Sequence, residues 1–219
     1  GDTIEKIAFE KAGILKPHTP LVLGNMPEPA REVILAEAAR LDAPAQVFDR
    51  DFGINAVRTG LDGTFFDYWW SGGEWRGLRT NLVGEHQAHN AAMALRSFQL
   101  YMERIDRPVS EDACRTALTG VYWPGRLEVL HRDPLVLIDG AHNEEGVQSL
   151  VRALRVLNPD RKCRMVLAIL RDKKLDRMIT DLCSVADKLY ISKNKSNRAA
   201  EIEEQVEVAR ATGTPYRSE

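Results

Sequence analysis

The feature that most constrains this chain is a change of rhythm at Trp123-Pro124-Gly125. Behind that break, short apolar runs alternate with longer stretches of helical periodicity. The spacing predicts strands over 135–138, 165–170 and 188–192, and helices over 144–157, 175–186 and 199–212. A strand-helix rhythm of this kind points to a parallel sheet with helices packed on it. Proline and glycine together interrupt regular structure, so the break also marks a domain boundary, giving pieces of 1–122 and 123–219.

The first piece reads differently. A helix is expected over 3–13, with Asp2 as its cap, Glu5 in capping-box position and Gly13 at its end. A short strand follows at 20–23, a helix at 28–41 and another short strand at 44–48. Residues 54–82 are rich in glycine, threonine and aromatics, with a hairpin signal at Ser71-Gly72-Gly73. Helices are then expected over 85–103 and, starting at Ser110, over 110–119. The chain opens without a methionine directly on a helix cap and stops just after the third strand-helix unit. It reads as a fragment cut at both ends.

Composition excludes several classes of function. The net charge of -2 gives no basic surface for nucleic acid or anionic membranes. No apolar run approaches the roughly 20 residues that span a bilayer, and no signal peptide is visible. Cys114, Cys163 and Cys183 are odd in number and widely spaced, which fits reduced cysteines in a cytoplasmic protein.

Four places carry residues suited to chemistry. Lys11 falls on the stripe of Ile4, Ile7 and Ala8, where a lysine must snorkel, pair or be chemically altered. Asp139, His142 and Asn143 follow the apolar run 135–138, at a strand end preceding a helix. Ligands bind at such ends in open parallel sheets, and a helix start suits an anion. The same residues equally end a strand and cap a helix. His86 and Asn90 share a helix face, and His86 with His89 lacks a third metal ligand at recognisable spacing. Arg126 stands at the expected hinge, where a guanidinium could reach a phosphate or simply face solvent.

The order of these motifs is more specific than any one of them. Ile7-Ala8-Phe9-Glu10-Lys11-Ala12-Gly13-Ile14, the run His86-Gln87 to Asn90-Ala91-Ala92, Trp123-Pro124-Gly125-Arg126-Leu127-Glu128 and Asp139-Gly140-Ala141-His142-Asn143 resemble the folylpolyglutamate synthase/dihydrofolate synthase family of the Mur ligase superfamily. The likeness extends through Asp172-Lys173, and more thinly to Asn197-Arg198-Ala199. It implies an α/β fold: the rear of a P-loop-type ATP-binding domain with a small β-ribbon over 1–122, then a truncated Rossmann-like, parallel-sheet C-terminal domain over 123–219. Closure between the two would assemble the site.

The resemblance also implies a reaction. ATP and magnesium would activate a folate or dihydropteroate carboxylate as an acyl phosphate, and the amine of L-glutamate would displace phosphate. The lysine matching Lys11 would be carbamylated and hold magnesium. Asn90, Arg126 and Asp139 would contact ATP, and His142 would lie near the transferred phosphate and the glutamate. The resemblance implies a cytoplasmic monomer without nucleic-acid or membrane partners. No G-x-x-x-x-G-K-[ST] loop occurs in these residues, so the chain alone is expected to be inactive. Two other readings stay open: a Mur-type ligase for another amino acid, and a non-catalytic binding module that kept the fold.

Overall fold

A computed structural model describes residues 2–171 and 174–218. These divide into two compact units. The first runs to Arg58 and takes in Phe65–Asn81 and His86–Val121; the second holds Thr59–Thr64, Leu82–Glu85 and the chain from Tyr122 onward. Among the described residues no helix is long and apolar enough to cross a membrane.

In the first unit, α1 (Ile4–Ala12) packs on α2 (Glu28–Arg40). Thr3 caps α1, its hydroxyl accepting from the Lys6 N–H at 3.3 Å. The expected cap, Asp2, lies one residue too early for that bond. Strands β1 (Leu21–Leu23) and β2 (Ala45–Val47) pair in parallel. The aromatic stretch folds into β3 (Phe52–Gly60), β4 (Gly63–Trp70) and β5 (Gly73–Thr80), a three-stranded meander in that order with Ser71-Gly72 at the second turn. Along β4, Thr64, Phe66 and Tyr68 are buried while Phe65, Asp67 and Trp69 are only partly so, the two-residue alternation of a half-buried strand.

The helix α3 (Glu85–Arg104) covers this sheet's inner face. It buries Ala88, Ala91, Ala92 and Leu95, spaced for one face of a helix. These alanines join Phe66, Tyr68, Trp75 and Leu78 in one core. The same face carries polar groups that find partners. The Tyr68 hydroxyl donates to Gln99 Oε1 at 2.7 Å, and burial pushes its pKa up. Arg96, 5% exposed, donates from Nε to Gln46 Oε1 at 2.9 Å and approaches Glu103 at 3.4 Å. Then α4 (Glu111–Gly120) starts on Ser110, whose hydroxyl accepts from the Ala113 N–H.

The second unit has the expected parallel sheet. Strands β8 (Cys163–Leu167), β9 (Ala186–Ile191) and β10 (Tyr216–Ser218) lie in the order β10-β9-β8, all parallel. Helices α5 (Glu144–Leu157), α6 (Leu175–Cys183) and α7 (Ile202–Ala211) bring Val147, Val151, Met178, Ile179, Leu182 and Ala209 to its core with Leu189 and Ile191. The buried Gln205 is satisfied on every side. It accepts from the Ile169 N–H and donates to the carbonyls of Ser192 and Ala200. The fold class read from the sequence, α/β with a parallel-sheet second part, is what the structure shows.

Three expectations need correction. The strand 135–138 was expected to be buried within the parallel series. It is instead β7 (Leu135–Ile138), paired antiparallel with β6 (Glu128–Arg132) in a two-stranded sheet of its own. Val136 is 42% exposed and Ile138 47%. A two-residue turn at Asp133-Pro134 folds β6 back locally, so the pairing needs no crossover. The last helix starts at Ile202 rather than 199. Ala200 first donates its N–H to the Ile169 carbonyl, and a Glu201–Glu204 capping box then opens the helix. Lys11 is exposed rather than on a buried stripe, because α1 buries Ala8 and Ala12 and turns Ile4 and Ile7 outward. Ile4, Ile7, Phe9 and Ile14 are exposed on the first unit. The cysteines are free, with Cys114 and Cys183 buried.

Candidate functional site

The segment from Tyr122 to Glu128 and the segment from Asp139 to Asn143 lie side by side in the second unit. Two left-handed residues shape the first: Gly125 at φ 70° and Leu127 at φ 44°. The backbone crosses between the segments, with the Gly140 N–H donating to the Gly125 carbonyl at 2.7 Å. Asp139 uses both carboxylate oxygens on main-chain donors. Oδ2 accepts from the Leu127 N–H at 2.7 Å, and Oδ1 from the Ala141 N–H at 2.8 Å. Glu128 accepts from the Tyr122 hydroxyl at 2.6 Å and the Gly125 N–H at 2.8 Å. The side chain of Leu127 is buried beside Val83 and Ala153.

These contacts leave Arg126 between fixed neighbours. Its guanidinium is exposed and makes no ion pair with any described residue. The His142 ring is also exposed, and its Nδ1 lies 2.9 Å from the Gly140 carbonyl. A carbonyl only accepts, so Nδ1 carries the hydrogen and the neutral ring presents Nε2 as an acceptor. Asn143 caps α5, accepting from the Gly146 N–H at 2.8 Å. It has thus taken the capping role that the sequence left open. Glu144 follows in the first turn, with Lys174 at 3.0 Å and Arg177 at 2.9 Å. The two cations hold its carboxyl below the usual carboxylate range.

The structure therefore brings Arg126, Asp139 and His142 together, with Asp139 spending its oxygens on the loop itself. Lys11 and Asn90 belong to the first unit. Lys11 is an exposed residue in the last turn of α1. Asn90 is exposed on α3, and its amide donates to Gln87 Oε1 at 3.2 Å. The other end of Gln87 meets His86 Nε2 at 2.9 Å. His89 packs its ring against Phe48, with centroids 5.0 Å apart. Among the described residues no group of three His, Cys, Asp or Glu could hold a metal ion. The Asp172-Lys173 pair lies outside the described residues.

Sequence reasoning gave no role to Tyr122, Gln87 or Glu128. Glu128 and Gln87 stood inside quoted motifs, but their hydrogen-bond partners are not visible in periodicity.

Against known proteins, the profile of the Mur ligase glutamate ligase domain matches residues 125–218. The folylpolyglutamate synthase of Lacticaseibacillus casei is 34% identical over 191 residues, covering 87% of this chain and 44% of that protein. The dihydrofolate synthase/folylpolyglutamate synthase of Mycobacterium tuberculosis is 35% identical over 210 residues, covering 93% of this chain and 43% of that protein. Among solved structures, Mycobacterium tuberculosis folylpolyglutamate synthase complexed with ADP superposes with a TM-score of 0.92 at 33% identity, over 100% of this chain and 50% of that one. A folylpolyglutamate synthase complex with AMPPCP and folate gives 0.85 at 30% identity, over 100% of this chain and 54% of that one. The chain spans about half the length of the curated relatives it matches.

Proposed function

Because the chain belongs to the folylpolyglutamate synthase/dihydrofolate synthase family of Mur-type ligases, we propose that it is the rear part of an ATP-dependent ligase. That ligase joins L-glutamate to the carboxyl group of a folate or of dihydropteroate. Residues 1–122 would be the rear of the ATP-binding domain and residues 123–219 most of the C-terminal domain. The relatives solved with ADP, or with AMPPCP and folate, support the nucleotide and the folate. The observation that carries the reading is the exposed guanidinium of Arg126, without an ion pair among the described residues, on a loop tied to Asp139 and Gly140 in the segment that bears His142.

In this reading Arg126 meets a phosphate of ATP. A guanidinium offers a rigid fork of donors to a phosphate, and its charge offsets negative charge building on the transferred group. Asp139 acts by holding the loop. His142 turns Nε2 toward solvent-facing space, where it can accept a hydrogen bond or a proton from the ammonium of the incoming glutamate, freeing the amine that attacks. The positive end of the α5 dipole favours an anion nearby. Asn90, braced by Gln87, offers its amide to the adenine side of the nucleotide.

Magnesium needs oxygen ligands, which the described residues do not gather by themselves. Lys11 makes no ion pair among the described residues and is accessible, so a carbamate on its amine would supply one carboxylate-like ligand. Bound magnesium would neutralise charge on the phosphates.

The test is ADP release by the full-length protein, with dihydropteroate or tetrahydrofolate as acceptor and L-glutamate as donor. Glutamate-dependent ADP release with a folate acceptor is expected. Release only with a muramyl substrate would transfer the chain to another Mur-type branch. No release with any acceptor would make it a binding module.

A further inference from the structure

We propose that Glu128 is a positioning residue for Arg126: its carboxylate closes the 122–128 loop and fixes the direction in which the guanidinium is presented. The inference rests on the ligase reading for what Arg126 meets, and on the loop's own geometry for how Arg126 is held.

One carboxylate grips the loop at two points. Oε1 takes the Tyr122 hydroxyl at 2.6 Å, and Oε2 takes the Gly125 N–H at 2.8 Å. Glu128 is itself fixed, because it opens β6 and pairs with Ile138, the residue just before Asp139. Asp139 then holds the Leu127 N–H from the other side at 2.7 Å. Arg126 is thus flanked by two residues in the left-handed region, each tied down by a carboxylate. Backbone in that region reverts unless its surroundings hold it.

Apolar packing does little of this holding at the front of the loop. Tyr122 is 70% exposed and Trp123 61%, and Leu127 is the buried side chain of the segment. The Tyr122 hydroxyl, and after it the Gly125 N–H, keep the Glu128 carboxyl below the usual carboxylate range, so it stays an acceptor for both donors. The N–H groups on either side of Arg126, those of Gly125 and Leu127, each end on a carboxylate, and among the described residues none of these contacts ends on its guanidinium. That is the arrangement expected where one cation is to be aimed and left free.

The experiment uses the full-length protein with Glu128→Ala, Glu128→Gln, Arg126→Ala and the Glu128→Ala/Arg126→Ala double variant. The readouts are AMPPCP affinity by titration calorimetry, KM for ATP and for the folate acceptor, and Tm. Losing two bonds to a charged acceptor should weaken AMPPCP binding about tenfold or more in Glu128→Ala. The KM for folate and the Tm should stay near wild type. Glu128→Gln keeps one acceptor oxygen for the Gly125 N–H, and its amide can donate to the Tyr122 hydroxyl, so it should recover most of the affinity. In the Arg126→Ala background, removing Glu128 should change AMPPCP affinity no further. Wild-type affinity in Glu128→Ala, or a loss that adds fully to that of Arg126→Ala, would overturn the proposal.

If the wild-type protein binds no nucleotide, the ligase reading falls. Amide exchange at Gly125 and Leu127 then decides the positioning role alone. Faster exchange in Glu128→Ala than in Glu128→Gln supports it, and unchanged exchange overturns it.

Discussion

The Leu127 N–H donates to Oδ2 of Asp139 at 2.7 Å, across a separation of twelve residues. This bond is the link between the loop that bears Arg126 and the segment that bears His142. The same carboxylate also takes the Ala141 N–H at 2.8 Å. Asp139→Asn replaces one acceptor oxygen with an amide group that faces a donor. It should cost about 1–3 kcal/mol of local stability and loosen both segments at once. Amide exchange at Leu127 and Ala141 should quicken together, and AMPPCP affinity of the full-length protein should fall. Unchanged exchange at Leu127 would refute this.

Arg96 is the buried cation of the first unit, 5% exposed and bonded to Gln46 at 2.9 Å and to Gln99 at 3.4 Å. Truncating it leaves Gln46 Oε1 without this donor, while the buried Gln99 loses its weaker donor and keeps the Tyr68 hydroxyl. Arg96→Ala should destabilise the protein by about 1–3 kcal/mol, the cost of leaving a buried acceptor short of its donor. Arg96→Met should cost less, because it keeps the packing of the stem. Urea denaturation of the two variants checks the order.

Glu144 carries a pH dependence whose sign is fixed. Hydrogen bonds from Arg177 and then Lys174 lower its folded pKa below the unfolded value of 4.5. The carboxylate therefore adds stability above about pH 4.5, and that contribution fades as pH falls through the lower, folded value. Both partners are largely exposed, so the effect should shrink in high salt. Unfolding curves of wild type and Glu144→Gln should separate at neutral pH and converge in acid. Separation that grows toward low pH would contradict the assignment.

Lys11 makes a contrasting case. It is exposed and unpaired among the described residues, so Lys11→Ala should move stability by no more than about 0.5 kcal/mol. The proposed carbamate predicts a large loss of ligase activity in the full-length variant all the same. Added bicarbonate should raise wild-type turnover and leave Lys11→Ala unchanged. A variant with wild-type activity would remove Lys11 from the site.

The sequence made some of this legible and hid the rest for definite reasons. Helix α5 was read with its true ends, 144 and 157, because Asn143 is a strong cap and the apolar period is clear. The hairpin at Ser71-Gly72 was equally plain. Strand β6 was missed, since Glu128, His131 and Arg132 leave too little apolar alternation to announce a strand. Its identity comes from pairing with β7, which is a tertiary fact. The exposure of Lys11 was misjudged because periodicity defines a helix face without saying which face meets a neighbour. On α1 the alanine side won, where small residues allow close packing on α2. At the candidate site the residue types were visible, but the division of labour was not. That Asp139 and Glu128 hold backbone, leaving Arg126 free, depends on hydrogen bonds across loops.

Gly125 illustrates how such a loop limits evolutionary drift. A methyl group added there would touch no atom within 4 Å, so a count of available space would pass any small replacement. Yet its φ of 70° is one that an L-residue enters at a cost of roughly 1–2 kcal/mol. An alanine at this position would fit the room and fight the turn. The tolerance of the position is set by torsion, and an alanine scan should find it among the most sensitive open sites on the chain.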